Sequence, residues 1–176
     1  MIELIEKNFA AVIGVTGTLL GVLLGSFINW ISRIGRIKIF QNSIVIDLLE
    51  RDGYGGFKRV QGITAETEAL DIKIDIDILN TSEYSRKSMR NLGLLIKQRN
   101  KEKIYTVTDK STARLSGPIR LVDELKIINL NPREIKNFSI GVYIKEDIEQ
   151  VLESNWYLQY TSISDRTRRV KINMKK

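Results

Sequence analysis

The chain contains no cysteine and no histidine. Without cysteine there are no disulfides and no thiolate metal sites, which fits a reducing cytosol but is shared by many exported bacterial proteins. Without histidine, the Ser-His-Asp and Cys-His nucleophile arrangements, the zinc-protease helix and every imidazole general base near neutral pH are excluded. A Ser/Lys hydrolase would survive that elimination, yet no serine is followed three residues later by lysine. The expectation is therefore a protein that is not an enzyme and carries no cofactor and no metal. An enzyme working through carboxylates of tuned pKa remains as an alternative.

Charge is also missing, locally. Phe9 to Ile31 carries no charged side chain and few polar ones, namely Thr16, Thr18, Ser26 and Asn29. About 23 residues at about 1.5 Å each are enough to cross a hydrocarbon core of about 30 Å. A cleaved signal peptide fits less well, because Glu3 and Glu6 spoil a basic leader and Leu24 to Trp30 offers a poor small-residue cleavage site. Thr and Ser can bond back to their own helix, while Asn29 and Trp30 suit the interfacial end. We thus expect a short tail over 1–8, a transmembrane helix over 9–31, a juxtamembrane connector with a possible first strand over 32–42, and one folded domain over 43–176.

Flanking charge orients such a helix. Glu3, Glu6 and Lys7 precede it; Arg33, Arg36 and Lys38 come after it. The positive-inside bias keeps the carboxyl side in the cytoplasm, giving a single-pass protein of the cell membrane with a cytoplasmic domain. Arg33, Arg36 and Lys38 are then topology determinants and candidate lipid contacts. Within the helix, Gly17, Gly21 and Gly25 recur every four residues, with Gly14 near the same face, and such a ridge of absent side chains lets a second helix approach closely. Homo-oligomers are therefore one expectation.

The net charge is +7, of which the segment before Arg33 contributes −1, leaving +8 on the remainder. Membrane lipids and a protein partner at the membrane are the expected contacts, since each well-placed Lys or Arg contributes about 1 kcal/mol near an anionic leaflet. The sequence lacks a dense basic helix, a zinc-ligand pattern and an RNA-binding aromatic motif, which argues against nucleic acid. Arg166, Arg168, Arg169, Lys171, Lys175 and Lys176 form the densest basic patch, for which an acidic partner or a lipid surface is the functional alternative. With Val170, Ile172 and Met174 alternating between them, it reads as a final strand with a charged outer edge that discourages edge-to-edge pairing.

Beyond the helix the dominant period is two. Asp71-Ile72-Lys73-Ile74-Asp75-Ile76-Asp77-Ile78 places every Ile on one face of a strand and every charge on the other. Further strands are expected over 36–40, 43–49, 92–98, 103–107, 125–130, 136–144, 155–162 and 168–174, all rich in Ile, Val, Tyr and Phe. Turn-forming stretches separate them: Asp52 to Gly56, Asn80 to Ser82, Arg99 to Lys101, Ser116 to Pro118 and Asn131-Pro132. One helical interruption is expected after Ile144, where Ile144, Ile148, Val151 and Leu152 recur at helical spacing. Thr108 to Leu115 breaks the alternation and is the least ordered stretch expected, a hairpin being the alternative there.

Three further patterns are weak. Asp71, Asp75 and Asp77 share a face and could offer oxygens to Ca²⁺, but Lys73 stands among them and a solvated, paired face is the better reading. Gly53-Tyr54-Gly55-Gly56-Phe57-Lys58 lacks the Gly-Lys-Ser/Thr ending of a phosphate-binding loop and reads as a hairpin connection. Asn80-Thr81-Ser82 and Asn137-Phe138-Ser139 match a glycosylation pattern that matters only in a secretory lumen. The Lys, Ile and Asn bias suggests an AT-rich bacterial or phage genome.

Seven to nine short strands at this spacing predict a mainly β, antiparallel two-sheet sandwich. In strand count and spacing, most clearly across Leu70 to Met174, the chain resembles immunoglobulin-like sandwiches, although the Cys-Trp-Cys core is absent and Trp156 lies near the carboxyl end. The resemblance implies a binding or adhesion-type scaffold. The functional expectation is a membrane-anchored, non-enzymatic interaction or scaffold module acting by tethering. A binding domain displayed on the opposite side of the membrane is the alternative.

Overall fold

The alternating segment Asp71 to Ile78 becomes the middle of the longest pairing in the molecule. In a computed structural model, which describes residues 2–99, 101–117 and 119–174, helix α1 (Ile2–Arg33) leads into strands β1 (Ile37–Arg51), β2 (Phe57–Val60), β3 (Thr67–Asn80), β4 (Lys87–Lys97), β5 (Glu102–Thr106), β6 (Thr108–Ser116), β7 (Ile119–Glu124), β8 (Ile127–Leu130) and β9 (Ile135–Ile144). Helix α2 (Ile148–Leu152), β10 (Asn155–Ser162) and β11 (Thr167–Lys171) complete the fold. Two antiparallel sheets face each other. One runs β2-β1-β3-β9-β6-β7; the other runs β11-β10-β4-β5, with β8 pairing beside β5 along β4.

Strand β3 sits between β1 and β9, so its Ile face meets the opposite sheet. Ile72, Ile74, Ile76 and Ile78 are buried together with Leu70, against Met89, Leu94 and Ile96 of β4 and Trp156 and Leu158 of β10. Helix α2 closes one end with Ile148 and Val151, and the Trp156 indole N–H donates to the Val151 carbonyl at 2.8 Å. That bond settles the polar edge of the largest core side chain, which burial alone would leave costly.

The two strands expected over 36–40 and 43–49 are a single strand, β1, with a register shift between Gln41 and Ser43. A bulge lets one long strand keep its apolar face inward past a break in the alternation. The glycine loop is a hairpin connection between β1 and β2: the Asp52 carboxylate accepts backbone N–H bonds from Tyr54 and Gly56, and Gly53 takes the left-handed conformation at φ 77°. Strand β2 itself, only four residues long and mostly exposed, lacks a clear pattern.

Two expectations are corrected. Thr108 to Leu115 is strand β6, which forms the expected alternative, a hairpin with β7, broken by a register shift between Asp109 and Arg114. Its side chains are largely solvated, so no apolar alternation was needed to build it. Ile144, counted into the helical spacing, ends β9 instead, while the interruption lies after it as expected, in α2 at Ile148–Leu152.

Candidate functional site

The chain passes from α1 to β1 through residues 34–36 alone. At roughly 3.5 Å per residue such a link reaches about 10 Å. It is also pinned. The Arg36 N–H donates to Thr81 Oγ1 at 2.7 Å, and the Arg36 carbonyl accepts from both the Thr81 hydroxyl and the Thr81 N–H. Gly35 lies so close against the Ser82 backbone that a Cβ at this position would collide with it. Only glycine permits that approach.

The loop that receives the link is held from within by Asn80, a fully buried amide. Its Nδ2 donates to the Ser85 and Asn131 carbonyls at 2.8 Å, and its Oδ1 accepts from the Ser82 N–H at 3.0 Å. The Arg133 N–H then donates to the Ser82 carbonyl. One side chain thereby ties the β3–β4 loop to the β8–β9 turn. The same burial means that Asn80, one of two glycosylation-type asparagines, has no room for a glycan in the folded domain.

Strand register places three connections around the helix exit. Ile37 pairs with Asn80, Lys87 with Leu130, and Ser162 with Met89, so the β3–β4 loop, the β8–β9 turn and the β10–β11 turn share this end. Within 34–38, 79–88, 129–136 and 161–168, the three carboxylates are each matched by a cation. Glu83 pairs with Arg133, Glu134 with Lys136 at 3.7 Å and Asp165 with Arg90 at 3.4 Å. Among the described residues, the side chains of Arg36, Lys38, Arg86 and Arg166 form no ion pair. The opposite end carries the carboxylates Glu146, Asp147, Glu149 and Glu153 around α2, balanced by Lys97, Arg99, Lys101 and Lys145. Charge is thus asymmetric along the sandwich.

Lys38 stands on the outer face of β1, opposite Leu79. The Arg33 side chain, like Lys175 and Lys176, lies outside the described residues. Gly17, Gly21 and Gly25 form an open stripe on α1, with no side chain or distant backbone within 4 Å of where a Cβ would stand. The apolar span Ala11–Ile31 is long enough to cross a membrane, and none of it is buried inside the protein. In the described part of that span, Leu, Val, Phe, Ile and Trp side chains all face outward.

The carboxyl-terminal basic run does not form one patch. Strand alternation sends Arg169 and Lys171, opposite Gln159 and Tyr157, to the outer face, whereas Arg168 stands opposite the buried Tyr160 and Arg166 lies in the preceding turn. Arg169 is occupied by Glu102 on β5, with Nη1 to Oε1 at 3.2 Å and Nη2 to Oε2 at 2.9 Å. The Arg169 guanidinium, then the Lys97 ammonium at 3.1 Å, holds the Glu102 carboxyl below the usual range. Strand β11 is the edge of its sheet.

The acidic face of β3 is likewise engaged, with Asp71 and Asp75 facing lysines and Asp77 accepting from the Asn137 amide. Lys110 of β6 reaches Asp71 at 2.8 Å, and Asp75 is held below the usual carboxylate range first by the Ser43 hydroxyl at 2.7 Å, with Lys73 adding to it. No group of three or more acidic side chains suited to a metal ion occurs among the described residues. On the opposite sheet, burial and the adjacent Glu146 carboxylate push the Tyr105 phenol up to about 12. A depression of about 750 Å³ at the α2 end is lined by Lys97, Lys101, Gln150, Glu153 and Asn155.

Tyr84, Arg86 and Ile163 were not singled out by sequence reasoning. Asn80 was legible only as a turn residue in a glycosylation-type triplet, since its carbonyl partners lie up to 51 residues away along the chain. Tyr84 and Ile163 are apolar side chains in otherwise polar loops, a signal that becomes meaningful once the strands bring the loops together.

Two antiparallel sheets packed face to face behind an apolar helix define an immunoglobulin-like β-sandwich protein with an N-terminal apolar helix. Residues 35–173 match the YopI Ig-like domain model, and the chain belongs to that family. The matched region starts at Gly35, within the pinned link that follows the helix. No curated protein matches the chain. Two solved structures are similar at a distance. One is the X-ray structure of Northeast Structural Genomics Consortium target SoR45, with 12% identity, TM-score 0.38 and coverage of 78% of this chain and 82% of that one. The other is an uncharacterized β-sandwich protein from Clostridium difficile 630, with 15% identity, TM-score 0.36 and coverage of 78% and 86%.

Proposed function

We propose that this protein is a single-pass membrane-tethered interaction or scaffold module, non-enzymatic, with its Ig-like sandwich on the cytoplasmic face of the cell membrane. The observation that carries the reading is the span Ala11–Ile31, uncharged throughout and mostly apolar, with none of it buried inside the protein and only residues 34–36 between the helix and β1. An outward-facing apolar surface of this length has no partner in the chain, and a bilayer supplies one. Arg33, Arg36 and Lys38 favour the cytoplasmic side for the sandwich.

The mechanism is tethering. Confinement to a plane raises the effective concentration of the sandwich for a membrane-bound partner, and the short pinned link keeps one end of the domain next to the lipid. Helix association through Gly17, Gly21 and Gly25 adds avidity. Protease accessibility of a carboxyl-terminal tag in intact and lysed cells tests the placement. Digestion in intact cells would favour external display.

A further inference from the structure

We infer that the helix-proximal end of the sandwich is itself a lipid-contacting surface, which seats two apolar loop tips in the headgroup region of an anionic bilayer. The inference rests on the membrane-tethered reading and adds a second contact to it. Tyr84, 69% exposed, stands on the β3–β4 loop, and Ile163, 60% exposed, on the β10–β11 turn. Both loops lie at the end from which α1 departs, as the pairing of Ile37 with Asn80 and of Ser162 with Met89 requires.

Neither tip is loose. The Tyr84 loop is bound through Asn80, with the Ser85 N–H donating to Ser82 Oγ at 3.0 Å. The Ile163 turn is closed by the Ser162 N–H on the Arg166 carbonyl and the Asp165 N–H on the Ser162 carbonyl. Presenting these side chains to lipid therefore costs little further ordering. A tyrosine with an apolar ring and polar tip suits the interface, and an isoleucine beside it adds apolar area.

Charge selects the lipid. Among the described residues, Arg36, Arg86 and Arg166 stand near the two tips without a carboxylate partner, while every carboxylate of this end is already matched. The acidic groups around α2 lie at the far end beside Lys97, Arg99, Lys101 and Lys145, which balance them, so an anionic surface favours the helix-proximal end. With a link that reaches only about 10 Å, the tips cannot stand far from the headgroups once α1 is inserted.

Because the chain has no cysteine, single-cysteine variants Tyr84→Cys and Ile163→Cys can each carry one environment-sensitive fluorophore, with Tyr54→Cys in the β1–β2 hairpin as the distal control. The full chain is reconstituted into phosphatidylcholine vesicles and into mixed phosphatidylcholine–phosphatidylserine vesicles. Flotation of the chain with both, resistant to alkaline carbonate, reads the helix anchor separately. Docking predicts a blue shift and quenching by lipid-borne quenchers at positions 84 and 163 in the mixed vesicles. Both are reduced in 1 M salt, where the Debye length is about 3 Å, and in an Arg86→Glu/Arg166→Glu variant, with position 54 water-like throughout. Flotation with positions 84 and 163 as solvent-exposed as position 54 overturns the docking and leaves the anchor standing. Failure to float overturns the anchor and the docking with it.

Discussion

Arg169 on the edge strand β11 and Glu102 on β5, at the other side of the same sheet, form a two-point ion pair across the sheet's outer face. Between them the register places Leu95, which points away from the interior yet is fully buried. Long polar side chains that cross an apolar surface can cover it while keeping their charges in water. The Gln159 side chain accepts a further bond from Arg169 Nε at 2.9 Å, which orients the guanidinium.

Replacing Arg169 by Gln removes the largest cause of the low Glu102 pKa. Glu102 should then titrate closer to an ordinary glutamate, as read from its side-chain carboxyl NMR shift. A carboxylate whose folded pKa is depressed contributes stability above its unfolded pKa and loses that contribution as pH falls through the folded value. The Arg169→Gln variant should therefore lose less stability than the parent through this acid window. An unchanged Glu102 titration would show that the pair is not formed in solution.

Trp156 is expected to be the costliest single truncation in the core. Trp156→Ala should destabilise the domain by about 3–5 kcal/mol, from lost burial and the cavity left behind. Trp156→Phe keeps most of the apolar surface but strands the Val151 carbonyl, and should cost about 1–3 kcal/mol. Urea denaturation of both variants checks the order.

Asn80→Ala should cost roughly 2–3 kcal/mol, because several backbone groups lose a buried partner at once. The loss should be local as well as global. Hydrogen exchange at Ser82 and Ser85 should rise more than at Ile74 in the β3 centre, and equal changes would argue against an Asn80 clamp.

Substituting Gly17, Gly21 and Gly25 by Leu should abolish helix-mediated crosslinking in membranes while leaving the circular dichroism of the sandwich unchanged. Crosslinking at the parental level would remove the glycine stripe as the contact between helices.

The legible parts of the fold are those where one strand or helix face decides burial by itself. The Ile72 to Ile78 alternation specified a half-buried strand, and Ile148, Val151 and Leu152 specified a helical turn, because period and burial are properties of a few neighbouring residues. Strand β6 was legible only as a possible hairpin, because its side chains are half-buried or solvated and leave no apolar pattern. The basic run from Arg166 onward looked like one patch in sequence, but alternation divides it and a carboxylate 67 residues away occupies Arg169. The helix-proximal end was legible only at Arg36 and Lys38, since the loops that join them there are brought together by strand register.

Protease accessibility of a carboxyl-terminal tag, compared between intact and lysed cells with a cytosolic marker as control, tests the central claim most directly. Protection in intact cells that is lost on lysis is the result a cytoplasmic, membrane-tethered sandwich predicts. Digestion in intact cells while the cytosolic marker stays protected would contradict it and put the sandwich on the outer face.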